Sequence, residues 1–244
     1  NATCQRAHRP EHKKECKKRA SELRDEALFQ QPPPRDECTI CFLPLPLNQS
    51  EQKYQTCCGK VLCNGCIDAA FKADRRRLCP FCRTPEAVSE EETLERIQKR
   101  AESDGATAMY SLGRLYERGN MGLPQDYEKA IELWLRAGEL GSAAAHCSIG
   151  TAYEHGEGVE RDMKKAKHYY ELAAMGGNVE ARHNLGAFEG NAGNVDRAVK
   201  HWMISLGAGL DESLEAIRQY FMAEIITRDD FEKALRAHKE AMMK

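Results

Sequence analysis

The sequence predicts a mostly α-helical protein in which a small cysteine-rich module precedes a solenoid of stacked helix pairs. The first observation is that eight cysteines lie between residues 38 and 82, at spacings typical of metal ligands. The second is a phrase of about 36 residues, rich in alanine, glycine and tyrosine, that recurs through the second half of the chain. The net charge of −2 over 244 residues gives no overall electrostatic reason to expect nucleic-acid or membrane binding.

The N-terminal segment is basic and leads into a short predicted helix. Residues 19–29 have a helical pattern that ends at Gln30, and the prolines at 32–34 predict a stiff, extended spacer. Basic runs at residues 12–19 and 75–77 could be a nuclear-import signal or a phosphate-binding patch, but the sequence favours ordinary solvated basic surface on small zinc modules.

The eight cysteines form four close pairs in a module that spans residues 36–85. Two thiolates from one tight turn can reach the same tetrahedral ion, so four pairs make two four-cysteine zinc sites. A disulfide framework is the alternative, but it needs an oxidising compartment and a short secreted domain. We therefore expect zinc and an intracellular protein, cytoplasmic or nuclear. The pairs are Cys38/Cys41, Cys57/Cys58, Cys63/Cys66 and Cys79/Cys82.

A connecting helix is predicted after the cysteine module. Ser89 offers an N-cap, and Glu92 three residues later completes a capping box. Leu94, Ile97 and Ala101 share one stripe of this helix. The predicted organisation is an N-terminal segment at 1–18, a helix and proline-rich linker at 19–35, the cysteine module at 36–85, the connecting helix at 86–103 and the repeats at 104–244.

The repeats are visible once the glycines are aligned. The phrases AMYSLGRLYERG, AHCSIGTAYEHG and ARHNLGAFEG begin at residues 108, 145 and 181, and a second helical phrase follows each one. Each copy therefore predicts two antiparallel helices, with small residues allowing close packing. The third copy has a shorter loop, and a fourth copy lacks the glycines, as a terminal capping unit does. Trp134, Tyr170 and Trp202 recur at one repeat position and are expected in the core, as is the lone Cys147.

This phrase resembles the Sel-like subfamily of tetratricopeptide-type repeats, and the second copy carries nearly all of it. The resemblance implies a protein-binding scaffold without chemistry of its own. We find no catalytic triad, phosphate-cradling glycine loop or paired-carboxylate site in the sequence. The matching residues are Ala145, Ile149, Gly150, Tyr153, Gly156, Gly158, Val159, Asp162, Lys165, Ala166, Tyr170, Ala173 and Gly177.

The cysteine module resembles a RING finger of the all-cysteine variety. This resemblance implies an interleaved cross-brace, which makes folding and metal binding inseparable. It also implies that the module holds a ubiquitin-charged conjugating enzyme. The implied ligands are Cys38, Cys41, Cys63 and Cys66 for the first zinc, and Cys57, Cys58, Cys79 and Cys82 for the second.

Three positions near the ligands match family contacts with the conjugating enzyme. The resemblance implies that Ile40 is the exposed docking hydrophobic, that Pro80 is its companion, and that Arg83 bridges the conjugating enzyme and ubiquitin. The alternatives are packing within the metal-binding turns for Ile40 and Pro80, and an ordinary surface charge for Arg83. The module departs from the family where two ligands are adjacent, where four residues precede the fifth ligand, and where Phe71 takes the place of the frequent tryptophan.

Cys4, His12 and Cys16 resemble the end of a MYND zinc finger, whose last helix supplies these ligands at this spacing. Positions four apart place His12 and Cys16 on one helix face. A coincidental amphipathic helix is the alternative. A complete MYND finger has more cysteines upstream, so we expect this sequence to be part of a longer chain.

These patterns favour a RING-type ubiquitin ligase whose repeats bind a protein substrate or scaffold. Such a protein has no covalent site, since it only positions a ubiquitin thioester for attack. The alternative is a non-enzymatic zinc-finger and repeat scaffold. Nucleic-acid binding is disfavoured, because the basic residues are not interleaved with exposed aromatics. A membrane span is not expected, since no stretch approaches about 20 apolar residues.

Overall fold

The computed structural model describes residues 9–74, 76–103 and 105–242. These residues contain eleven α-helices and one small sheet, which confirms the mostly α-helical class predicted from the sequence. The elements are α1 (Arg9–Leu28), β1 (Gln52–Gln55), β2 (Lys60–Cys63), α2 (Asn64–Ala73), α3 (Glu90–Glu102), α4 (Ala106–Arg118), α5 (Tyr127–Glu139), α6 (Ala143–His155), α7 (Met163–Met175), α8 (Val179–Asn191), α9 (Val195–Gly207), α10 (Glu212–Met222) and α11 (Arg228–Met242).

The first helix is longer than the sequence predicts. A short helix was expected at residues 19–29, whereas α1 is continuous from Arg9 to Leu28. Its only proline is Pro10, in the first turn, where the missing N–H has no intrahelical partner to lose. Nothing between Glu11 and Leu28 interrupts the helix, so the basic segment and the predicted helix form one element.

The cysteine module is built on an antiparallel hairpin followed directly by α2. In the hairpin, Gln52 pairs with Cys63 and Gln55 pairs with Lys60. A small buried cluster beneath it contains Leu45, Leu62 and Ile67, and Phe71 packs against this cluster from α2. So small a core cannot by itself stabilise a module of this size, which is consistent with a need for metal.

The helix that links the module to the repeats begins with the predicted cap. Ser89 Oγ accepts a hydrogen bond from the N–H of Glu92 at 3.2 Å. The Glu92 carboxylate accepts from the N–H of Val88 at 2.9 Å, one residue earlier than a standard capping box would have it. The cap therefore also fixes the residue that enters the helix.

The four predicted copies correspond to the helix pairs α4/α5, α6/α7, α8/α9 and α10/α11, which pack on one another in chain order. Left-handed Gly119 and Gly156 end the first helices of the first two copies, where a Cβ would be strained. The predicted core aromatic residues Trp134, Tyr170 and Trp202 are all buried. In the first three copies, the N-cap side chains that accept an N–H are Asp126, Ser142, Asp162 and Asn178.

The recurring glycine of each first helix lies against the recurring aromatic of the second. A Cβ on Gly113 would lie 2.5 Å from Trp134 Nε1, and a Cβ on Gly150 would lie 2.7 Å from Tyr170 Cδ1. Gly186 and Trp202 repeat this contact. The glycine therefore lets the two helices approach closely enough to bury the aromatic ring.

We expect Gly150→Ala to lower the free energy of unfolding of the solenoid by about 1–3 kcal/mol, because the added methyl group overpacks the Tyr170 ring. The control is Gly207→Ala, at the end of α9, where no atom of the described residues beyond the chain neighbours and the helix's own backbone lies within 4 Å of an added Cβ. That substitution is expected to be neutral or to stabilise the helix by at most about 1 kcal/mol. Urea denaturation followed by circular dichroism compares them, and equal effects of the two substitutions would contradict the packing argument.

Candidate metal centre

The structure brings the eight cysteines of the module together in two groups of four. Within each group, the Sγ atoms all lie within 4.8 Å of one another. These are the same two groups that the cross-brace resemblance implies. The first group is Cys38, Cys41, Cys63 and Cys66, and the second is Cys57, Cys58, Cys79 and Cys82.

The sulfur separations fit a shared metal ion. The Sγ atoms of Cys41 and Cys63 are 3.9 Å apart, as are those of Cys58 and Cys79, while those of Cys57 and Cys82 are 3.3 Å apart. A tetrahedral zinc ion with Zn–S bonds of about 2.3 Å has S···S edges of roughly 3.8 Å. A disulfide bond would need about 2.05 Å between the sulfurs. The donor set and its spacing therefore suit a four-thiolate zinc ion.

The first and last cysteine pairs occupy equivalent turns. The N–H of Cys38 bonds to the carbonyl of Leu43 at 2.9 Å, and the N–H of Cys79 bonds to the carbonyl of Thr84 at 2.8 Å. The residue after the second cysteine has positive φ in both turns, 58° at Phe42 and 61° at Arg83. This repeated local geometry directs both thiols of a CxxC pair to one side, as a metal-binding turn requires.

The adjacent pair lies in the turn of the hairpin. Cys57 and Cys58 follow β1, and the N–H groups of Cys58 and Gly59 both bond to the carbonyl of Gln55. Gly59 has a φ of 74°, which closes the turn into β2. The strand then carries the chain to Cys63, in the other group. The unusual spacing of these ligands is thus absorbed by a tight turn and one strand.

Hydrogen-bond donors lower the thiol pKa of one cysteine in each group. Burial would raise the pKa of the Cys38 thiol, but N–H groups including that of Cys41 outweigh it and lower this pKa to about 6. Burial is likewise outweighed at Cys82, where the hydroxyl and N–H of Thr84 help lower the pKa to about 6. Burial, together with the neighbouring thiols of Cys63, Cys41 and Cys38, raises the pKa of Cys66 to about 12. Four crowded thiols cannot all ionise alone, and a bound divalent cation would supply the missing charge.

The implied conjugating-enzyme contacts lie on the metal-binding turns. Ile40 is 38% exposed, and Pro80 is half-buried. The Arg83 side chain is 58% exposed and pairs with Asp74 at 3.1 Å. Sequence reasoning missed Phe81, which is 46% exposed. The signal was present, because Phe81 holds the position in the last pair that Ile40 holds in the first.

The MYND-like residues fall only partly within the described structure. Cys16 is exposed on α1. The side chain of His12 and the whole of Cys4 lie outside the described part. A metal site at these three residues stays a prediction.

Arg100, on the connecting helix α3, hydrogen-bonds to the backbone at the second cysteine group. A role for this arginine was not predicted from the sequence. Arg100 Nε donates to the carbonyl of Thr56 at 2.8 Å, and Nη2 donates to the carbonyl of Cys57. On the same helix, Arg96 donates to the carbonyl of Pro85 at 3.0 Å. These bonds tie α3 to the cysteine module, while α3 also packs on α4 of the solenoid.

None of the helices in residues 9–74, 76–103 and 105–242 combines the length and apolarity needed to cross a bilayer.

Comparison with protein families identifies the repeats. Residues 106–142 and 143–178 each match the family model of the Sel1 repeat, so the first two predicted copies are Sel1 repeats. A crystal structure of a Sel1 repeat protein from Oxalobacter formigenes superposes with a TM-score of 0.56 at 24% identity, and covers 66% of both chains. A uropathogenic Escherichia coli protective antigen, c5321, superposes with a TM-score of 0.53 at 30% identity, over 62% of this chain and 33% of that chain.

Two curated relatives come from Arabidopsis thaliana. The ERAD-associated E3 ubiquitin-protein ligase component HRD3B is 30% identical over 113 residues, which are 46% of this chain and 18% of the relative. The component HRD3A is 34% identical over 95 residues, which are 39% of this chain and 12% of the relative. The chain therefore spans less than a fifth of the length of either protein.

Proposed function

We propose that this protein is a zinc-binding adaptor, in which the cysteine module and the solenoid each bind a protein partner and α3 fixes their relative position. The observation that carries the proposal is the pair of Sel1 repeats at residues 106–178, because stacked helix pairs offer an extended surface for other proteins. In the module, Cys38, Cys41, Cys63 and Cys66 would hold one zinc ion, and the other four cysteines would hold the second. These ions would supply structural stability.

The Arabidopsis relatives support the adaptor role. Their names describe components of a ubiquitin ligase assembly, and the similarity covers 46% and 39% of this chain. A solenoid needs no reacting group to organise an assembly, because holding two proteins together raises the effective concentration of each for the other.

The adaptor proposal predicts two separable sets of partners, and affinity capture tests it. Proteins held by the solenoid should remain bound to the full chain after a zinc chelator is added. Proteins held by the cysteine module should be lost both with the chelator and with Cys63→Ala. The proposal fails if no specific set of captured proteins is lost with the chelator or with Cys63→Ala, and no specific set is retained under both conditions.

A RING-type ubiquitin ligase is the second candidate, and the exposure of Ile40 and Arg83 favours it. In that role, Ile40 and Pro80 would contact the conjugating enzyme. Arg83 would leave Asp74 and hold the ubiquitin thioester in a reactive pose, since its five donors suit that task. The reaction would remain one between the charged conjugating enzyme and a substrate lysine.

We expect a ligase to accelerate lysine discharge from a ubiquitin-charged conjugating enzyme. Ile40→Ala and Arg83→Ala should each reduce that acceleration at least about 10-fold at unchanged zinc content. This reduction corresponds to a loss of roughly 1.4 kcal/mol of transition-state stabilisation. The matched control is Arg76→Ala, because Arg76 also pairs with Asp74 but lies outside the metal-binding turn. A panel of conjugating enzymes provides the substrates. No acceleration with any of them would remove the ligase candidate and leave the adaptor.

A further inference from the structure

The end of α1 is seated in the solenoid, although the sequence predicted only a helix leading into a spacer. Leu28 is 1% exposed and packs in a cluster with Tyr170, Ala174 and Leu185 of α7 and α8. Farther along, Pro33 lies close enough to Gly177 that a Cβ on this glycine would be 3.0 Å from the proline ring. The segment thus occupies a groove between repeats.

Polar contacts fix the direction of the seated helix. Arg24 forms an ion pair with Glu171, which is itself 5% exposed. Asp25 accepts from Arg197 Nη1 at 2.8 Å. Arg182 Nη1 donates to the carbonyl of Leu28, which is one of the carbonyls that a helix end leaves without a partner. The groove therefore binds both the charged side chains of this segment and the C-terminal end of its helix.

Phe29 completes the contact beside Leu28. Its ring centroid lies 4.6 Å from that of His201. Arg197 Cζ lies 5.1 Å from the centroid of the Phe29 ring, and Lys200 Nζ lies 5.8 Å from it. Arg197 and Lys200 therefore make cation–π contacts with the Phe29 ring at this side of the groove.

The groove carries more hydrogen-bonding capacity than its present occupant uses. Arg182 is 2% exposed and His201 is fully buried. Among the residues that the structure describes, neither Arg182 Nε nor either ring nitrogen of His201 has a hydrogen-bond partner. Unpaired buried groups of this kind are unfavourable. The other charged groups around them are largely compensated, since Glu189 accepts from Lys167 at 2.9 Å and from Arg197 at 3.1 Å.

We propose that the groove formed by α7, α8 and α9 is the partner-binding site of the solenoid, and that residues 24–29 occupy it in cis. Its partner is a protein segment of the same chemistry: a final helical turn with a basic residue, then an acidic one, then a Leu-Phe pair three residues later, and a further acceptor for Arg182. This inference deepens the proposed adaptor function by naming the partner class, and it rests on that function. Partner binding would displace the chain's own helix end.

The test measures binding of the chain's own segment in trans. The probe is a fluorescein-labelled peptide of residues 19–31, RASELRDEALFQQ, and the full chain is titrated into it. In the double variant Leu28→Ala/Phe29→Ala, the groove is vacated, and the peptide should bind at least about 10-fold more tightly than to the wild type, because occupation in cis reduces the apparent affinity. The matched control is Leu23→Ala in the chain, which removes a 48% exposed leucine from the same helix. This variant should bind the peptide with the same affinity as the wild type.

A charge exchange keeps the test independent of folding effects. Peptide binding to the vacated chain should be lost with Arg24→Glu in the peptide and restored when Glu171→Arg is added to the chain. No trans binding to a vacated chain with intact circular dichroism would overturn the site. Equal affinity for the wild-type and vacated chains, or a wild-type dimer that exchanges this segment, would overturn occupation in cis. The assay contains no conjugating enzyme or ubiquitin, so its failure is distinct from failure of the ligase candidate. Zinc-dependent capture by the cysteine module is also unaffected by its outcome.

Discussion

Cys63→Ala is expected to remove both zinc ions and to unfold residues 36–85. The β1–β2 hairpin carries Cys57 and Cys58 in its turn and Cys63 at its end, so both cysteine groups depend on the same hairpin. Structural zinc supplies about 10–16 kcal/mol of folding free energy in small modules. The buried residues Leu45 and Leu62 belong to a core too small to replace that contribution.

Zinc content measured by mass spectrometry checks this prediction. The wild type should hold two zinc ions in the module, and Cys63→Ala should hold fewer than one. Cys147→Ala is the matched control, because Cys147 is buried in the solenoid and belongs to neither group. It should retain both ions. A Cys63→Ala protein that keeps one ion would show that the two sites fold separately, contrary to the shared-hairpin argument.

The solenoid should survive loss of the module's zinc. Its core consists of helix pairs that pack against their sequence neighbours. We therefore expect the helical circular dichroism signal of Cys63→Ala to remain close to that of the wild type. A large loss of helix would mean that the module and the solenoid unfold as one unit.

The parts of this fold that could be predicted are those encoded locally. A glycine and an aromatic at fixed repeat positions predict a close helix pair, and Gly113 with Trp134 forms one. The cap at Ser89 was also predictable, because an N-cap side chain bonds within its own first turn. CxxC spacing predicts two ligands in one turn for the same reason.

The parts that could not be predicted depend on contacts between distant residues. Leu28 follows an ordinary polar helix, and nothing in that stretch indicates that it will be buried against α7. Arg182 lies more than 150 residues away and has the appearance of a surface arginine in the sequence. The length of α1 differs from the prediction for a simpler reason: the change from basic to mixed composition suggests a boundary near residue 18, although helix propensity continues across it.

Arg100→Ala is expected to release the second cysteine group from α3 and to speed its loss of zinc. Arg100 donates to the carbonyls of Thr56 and Cys57, and each charge-assisted hydrogen bond contributes about 1.5–3 kcal/mol. A four-thiolate zinc site also has a net charge of −2, so a nearby guanidinium stabilises it. Losing one such bond corresponds to a rate increase of about 10-fold or more.

The rate of zinc transfer to a colorimetric chelator measures this effect, and Lys99→Ala is the matched control. Lys99 is an exposed cation on the neighbouring position of α3, so its removal changes the helix charge equally but breaks no bond to the cysteine module that the structure describes. Hydrogen exchange should increase in residues 52–63 of Arg100→Ala and stay unchanged in Lys99→Ala. Equal transfer rates in the two variants would mean that α3 connects the modules without holding them. If only Arg100→Ala is faster, a partner bound to the cysteine module and one bound to the solenoid would be held in a defined geometry, because Arg100 joins the β1–β2 turn to α3, and α3 packs on the first repeat.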